Sequence, residues 1–244
     1  GNSWDYASIY VPLKNIIEKE FSLPVTIEND ATSACFGEQW LDLEPGIKNL
    51  IYMFSGVGCG IMINGEIYTG SSGSAGEVSI YNPKDESPFS CNAGNPCFLK
   101  RWDIDFGLPQ EARDIAAGTK ESKYPAARII ELADNKPEDI SLKHIFHAAR
   151  ENDPLASELL DRAAKQFGIK VAYLVNLLNP EVVVVGGGLE QAGERFLNVV
   201  KSTVDAWAFE EMSSRVRIVY STLGENAVSL GAASLVMRQV FSRV

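Results

Sequence analysis

Apolar positions near the start of the chain recur at helical spacing. Leu13, Ile16, Ile17 and Phe21 share one face, which predicts an amphipathic helix over residues 8–20. Leu23-Pro24 breaks it. Val25 and Ile27 then predict a short strand ending at Asn29-Asp30. A helix of small residues is expected over 31–41, tolerating Gly37, with a turn at Glu44-Pro45-Gly46. Three strands follow, over 49–54, 58–63 and 66–69. Asn64-Gly65 joins the last two as a hairpin turn, because both residues accept positive φ. Residues 70–100 are rich in Gly, Ser, Asn and Pro and read as an ordered functional loop.

From 107 to 178 the pattern is mainly helical. Its longest run, 154–178, opens on Pro154, where a missing N–H does no harm, and closes at Asn179-Pro180. The run of valines at 182–185 is continuous rather than alternating, as in a parallel strand covered on both faces. Gly186-Gly187-Gly188 ends it and opens a helix to about 206. A further strand is expected over 216–219 and a closing helix over 225–240, containing Gly231-Ala232-Ala233. A strand meander, then helices, then strand-helix-strand-helix, is an α/β layout.

Composition narrows the functional classes. The chain has 244 residues, 45% hydrophobic and 22% charged, with net charge -10. That balance disfavours a nucleic-acid surface on this chain, since phosphate contacts need clustered Lys and Arg. Four cysteines, Cys35, Cys59, Cys91 and Cys97, are too few and too scattered for a disulfide scaffold, and a cytoplasmic setting fits them. No apolar run approaches the ~18 residues of a membrane helix, so no membrane partner is expected.

Five features can carry chemistry. Asn29-Asp30 ends a predicted strand, where open α/β sheets bind ligands. A carboxylate there can take a hydroxyl proton, and the amide can hold neighbouring hydroxyls. Asp30 can equally be the N-cap of the helix that starts at Ala31. In the stretch Ser55-Gly56-Val57-Gly58-Cys59-Gly60, glycines let backbone N–H groups approach a phosphate or sugar oxygen, or they mark strand bulges. Glu77 in Gly73-Ser74-Ala75-Gly76-Glu77 binds hydroxyls or is a solvated loop acid. Cys91 and Cys97 lack the four ligands of structural zinc and read as free thiols; His144 and His147 read as surface residues. The glycines at 186–188 suit either nucleotide approach or a tight turn.

Taken in order, these segments resemble the ROK family (repressor, open reading frame, kinase) of sugar kinases and NagC/XylR-type sugar-responsive regulators. Residues 23–38 resemble its Pro-Val-x-x-x-Asn-Asp-Ala segment, 55–70 its second phosphate loop and hairpin, and 73–77 its sugar-binding Gly-Ala-Gly-Glu stretch. Residues 176–188 resemble its late strand and triple glycine, and 230–233 its closing helix.

The resemblance implies an actin-like, hexokinase-like fold of the ribonuclease H-like type. Residues 1–33 would be a remnant of the small N-terminal lobe, and 34–244 the large C-terminal lobe. Asn29, Asp30 and Glu77 would hold a sugar, with Asp30 the catalytic base in a kinase. Gly56, Gly58, Gly186, Gly187 and Gly188 would face ATP, with Mg, only in a kinase. Three departures bear on this. The family kinases' opening Asp-x-Gly-Gly-Thr strand is not in this sequence. The His expected three residues after Glu77 is Ile80. The family zinc cluster reads Ser90-Cys91-Asn92-Ala93-Gly94-Asn95-Pro96-Cys97, with only Cys97 in register, so zinc is expected to be lost. The resulting expectation is the sugar-sensing, dimerising effector domain of a transcriptional regulator, without cofactor. It would bind a sugar or sugar phosphate, and meet DNA only through a domain outside this chain. An ATP-dependent hexose kinase is the alternative.

Overall fold

A computed structural model describes residues 11–54, 58–78 and 104–241, with backbone only for 104–106. Among the described residues the centre is a sheet of five strands: β1 (Leu50–Phe54), β2 (Gly58–Ile63), β3 (Glu66–Ile67), β4 (Val182–Gly186) and β5 (Arg217–Tyr220). The order is β3-β2-β1-β4-β5. β1, β2 and β3 form the antiparallel meander, and β4 and β5 run parallel to β1. The hairpin at Asn64-Gly65 has φ of 53° and 82°, the backbone its sequence anticipates.

Strand alternation distributes the core between two layers. Leu50, Tyr52, Val182 and Val184 face α2 (Asp30–Leu41) and α9 (Ala227–Phe241), packing with Ala34, Cys35 and Phe36. Ile51, Met53, Val183 and Val185 face the opposite layer, built on α6 (Pro154–Leu178) and α7 (Glu194–Trp207), with Phe167, Val171 and Phe196. Both faces of β1 and β4 are therefore buried, which is why the valine run does not alternate.

The remaining helices are α1 (Leu13–Phe21), α3 (Ile104–Ala116), α4 (Ala127–Leu132), α5 (Leu142–Arg150) and α8 (Glu210–Ser213). Local signals set the ends of α6. Asp153 accepts the Ala156 N–H (2.8 Å), Pro154 occupies the first turn, and Asn179 stops the helix at φ 47°.

Several expectations change. Residues 25–27 form no strand and pair with none among the described residues; Val25 N–H donates to Glu18 Oε1 (3.0 Å). The third strand is only Glu66–Ile67. The glycine run opens the short 3-10 turn Leu189–Ala192, and α7 follows at Glu194. The apolar face of α1 is exposed at Leu13, Ile16 and Phe21. His144 is more than a surface residue: its Nδ1 accepts the Ser141 N–H (3.2 Å) and caps α5. Gly56, Ile80, Cys91 and Cys97 lie outside the described residues, and with them the zinc expectation.

Candidate functional site

A cavity of about 380 Å³ opens at the carboxyl end of β1. The start of α2 supplies Asn29, Asp30 and Ala31. The strand ends supply Phe54, Gly58 and Cys59, and the turn at 73–77 closes the far side with Glu77. Open α/β sheets bind ligands at this edge.

Two close backbone approaches build the cavity. Gly60 in β2 lets α2 lie directly on the strand; a Cβ there would meet the Ala31 carbonyl oxygen at 2.2 Å. Gly76, at φ 101°, presses on the same strand, where a Cβ would stand 1.9 Å from the Cys59 carbonyl oxygen. The Cys59 N–H donates to Gly76 O (2.8 Å), and Glu77 bridges to Gly58. Asn29-Asp30 and Glu77, 47 positions apart from Asp30 to Glu77, thereby line one cavity.

Asn29, and not Asp30, is the N-cap. Its Oδ1 accepts the Thr32 N–H (3.1 Å). Asp30 is the first helical residue, exposed, with Oδ1 accepting the Ala31 N–H (2.7 Å). The lining offers carboxylate acceptors, an amide with both functions and an apolar wall at Phe54. Such a set suits a ring bearing several hydroxyls. No Lys, Arg or His is among the described lining residues. The Cys59 thiol is pushed up to about 12, first by burial and then by Glu77, so it is no nucleophile at neutral pH.

The glycine run lies beside this cavity. Gly186 pairs with Phe54 in the β1–β4 register, one strand spacing away. Behind it is a buried polar network the sequence reading missed. Glu38, deep in α2, accepts from the Ser221 hydroxyl and from the Leu223 N–H (3.4 Å). Ser221 Oγ accepts the Gly224 N–H (3.0 Å). The Tyr52 hydroxyl accepts the Gly187 N–H (3.3 Å), and burial pushes its pKa up to about 12. One signal was available: Glu38 continues the i, i+3, i+4, i+7 stripe of Ala31, Ala34 and Cys35, all buried.

Burial raises the Glu38 carboxyl above its ordinary 4.5, with the Ser221 and Leu223 bonds opposing and Asp42 adding to the rise. Cys35 and Tyr52 also face it. An acid whose folded pKa is raised contributes fully below the ordinary carboxylate range. That contribution is lost as pH rises through the folded value. Relative to Glu38→Gln, the native chain should therefore lose stability as pH climbs from 4.5 towards 8. Urea midpoints of both proteins across that range check this; a constant gap would contradict it.

A sheet of this order and direction, with its cavity at the strand carboxyl ends, defines the actin-like, hexokinase-like fold. The chain belongs to the ROK family, whose sequence model matches residues 7–239. It is 34% identical over 230 residues to a glucokinase of Halalkalibacterium halodurans, covering 93% of this chain and 68% of that protein. It is 29% identical over 236 residues to a xylose repressor of Caldicellulosiruptor bescii, covering 95% of this chain but 57% of the repressor. Among solved structures, a ROK glucokinase from Streptomyces griseus in complex with glucose and AMPPNP superposes with TM-score 0.75 at 30% identity. The superposition spans 92% of this chain and 72% of that one. Glucokinases and xylose repressors are thus both among the relatives of this chain. Among the described residues, no helix is long and apolar enough to cross a membrane.

Proposed function

We propose that this chain is the sugar-sensing effector domain of a ROK transcriptional regulator, with Asn29, Asp30 and Glu77 as the sugar-binding residues. The observation that carries the reading is their convergence on one cavity of about 380 Å³ whose described lining holds no cation. A sensor needs only a ligand that binds one conformation better than another. The cavity is roofed by the start of α2, and α2 packs along its length on α9, so sugar binding can bias how these helices sit. The net charge of -10 supports a reading in which DNA contact belongs to another domain, and the same reading makes the protein a cytoplasmic homodimer. The sequence departures at Ile80 and Ser90 support this reading, because they alter the family's sugar and zinc geometry.

An ATP-dependent hexose kinase is the second reading, favoured by the 34% identity to a glucokinase. In it Asp30 would take the proton of the attacking sugar hydroxyl. Gly56, Gly58 and the glycines at 186–188 would face ATP and Mg.

A thermal-shift screen against glucose, xylose, N-acetylated hexoses, their phosphates and ATP-Mg separates the two. A ligand specific to the native state raises the midpoint by mass action. A free sugar should raise it, and ATP-Mg should not. A rise with ATP-Mg transfers the conclusion to the kinase; no rise with any sugar removes the sensor.

A further inference from the structure

The glycine run at 186–188 sits where an anion site is expected: the carboxyl end of a buried parallel strand leading into a helical turn. An anion cradle needs backbone N–H groups left without protein acceptors and turned towards the ligand. Two of the run's N–H groups are already used. Gly187 N–H donates to the Tyr52 hydroxyl (3.3 Å), and Gly188 N–H donates to Glu190 Oε2 (3.0 Å). Gly186 is packed from behind, where a Cβ would stand 1.9 Å from Tyr52 Oη.

The acceptor at Gly188 is itself an anion. Glu190 is two residues along the same turn and half-buried, so its carboxylate is held near the amide by a short tether. An oxygen of that carboxylate takes the place that a phosphate oxygen would take. Its surroundings add to the effect. The Gln191 amide donates to Glu225 (3.4 Å), and Glu194 starts the next helix. Arg150 is the opposing charge: it reaches this turn and gives its guanidinium N–H to the Gln191 carbonyl (2.9 Å). A phosphate entering here would meet occupied amides and like charge together.

We propose that Glu190 is an intramolecular specificity gate: its carboxylate fills the anion position of the glycine turn, so the cleft accepts a neutral sugar and turns away phosphate-bearing ligands, nucleotides included. The proposal rests on the sugar-sensor reading, since it explains how a member of a kinase-containing family would answer to sugar alone. It also assigns Glu190 a specificity role where stability alone would ask only for a capping group.

The test compares wild type, Glu190→Ala and Glu190→Gln by isothermal titration with AMPPNP, with and without Mg, with inorganic pyrophosphate, and with glucose. Removing the carboxylate frees the Gly188 N–H and the local charge. AMPPNP and pyrophosphate affinity should therefore rise about tenfold or more in Glu190→Ala. Glu190→Gln should rise less, because its amide oxygen still accepts from Gly188 while the charge is gone. Glucose affinity should stay the same in all three. Unchanged or weaker binding of both anions in Glu190→Ala overturns the gate. Tight AMPPNP binding by wild type overturns it too. If no protein binds any sugar, the sensor reading falls, and the anion comparison still decides the role of Glu190.

Discussion

Gly231→Ala is expected to destabilise the chain by about 3 kcal/mol, at the upper end of overpacking costs. Gly231 lies where α9 crosses α2, and the two helices touch backbone to backbone. A Cβ on Gly231 would stand 1.8 Å from the Ser33 carbonyl oxygen and 3.2 Å from Ala34 N. Facing it, a Cβ on Gly37 would stand 2.9 Å from Gly231 Cα. No flexible side chain is present to yield, so the helices must separate. That separation opens the layer formed by Ala34, Phe36, Leu50 and Tyr52. It also displaces the start of α2, and with it Asn29 and Asp30, so sugar affinity should fall in the same variant. Urea denaturation measures the first effect. Ala232→Ser, one residue along and exposed, is the control and should change stability by less than about 0.5 kcal/mol. A Gly231→Ala protein as stable as its control would show that α9 does not sit against α2 as described.

Asp30→Ala should weaken sugar binding by about a hundredfold while leaving the fold in place. Hydrogen bonds to a charged partner contribute roughly 1.5–3 kcal/mol, and the upper part of that range corresponds to about two powers of ten in affinity. Asp30 is exposed at the cavity, where its carboxylate can accept from sugar hydroxyls. The fold tolerates the change because Asn29 holds the cap, accepting the Thr32 N–H at 3.1 Å. Removing an acidic group from the first turn of α2 costs only about 0.3–1 kcal/mol through the helix dipole. Calorimetric titration with the sugar found in the thermal screen, beside a urea curve of the same variant, reads both quantities. Unchanged affinity would remove Asp30 from the site. A large loss of stability would mean that the carboxylate serves the fold.

Local signals determined much of this protein. The valines at 182–185 announced a strand buried on both faces, because only a covered parallel strand dispenses with polar positions. Asn64-Gly65 specified its hairpin through positive φ, and Pro154 with Asn179-Pro180 bounded the longest helix through the backbone limits of Pro and Asn. The motif order pointed to the family, which the match over residues 7–239 bears out.

Tertiary structure decided what depends on a distant neighbour. Val25 and Ile27 have strand-forming side chains, but a strand needs a partner edge, and among the described residues none pairs with them. Asn29 and Asp30 are equally good caps by type; only the geometry gave the Thr32 N–H to Asn29. Gly37 reads as a tolerated weakness in a helix until Gly231, 194 positions later, is laid against it. Glu38, not singled out in the sequence, becomes a buried acid because Ser221 and Leu223 close over it. Backbone preferences act within a few residues and are written in the sequence. Close packing and the sharing of buried hydrogen bonds act between segments that only the folded chain brings together.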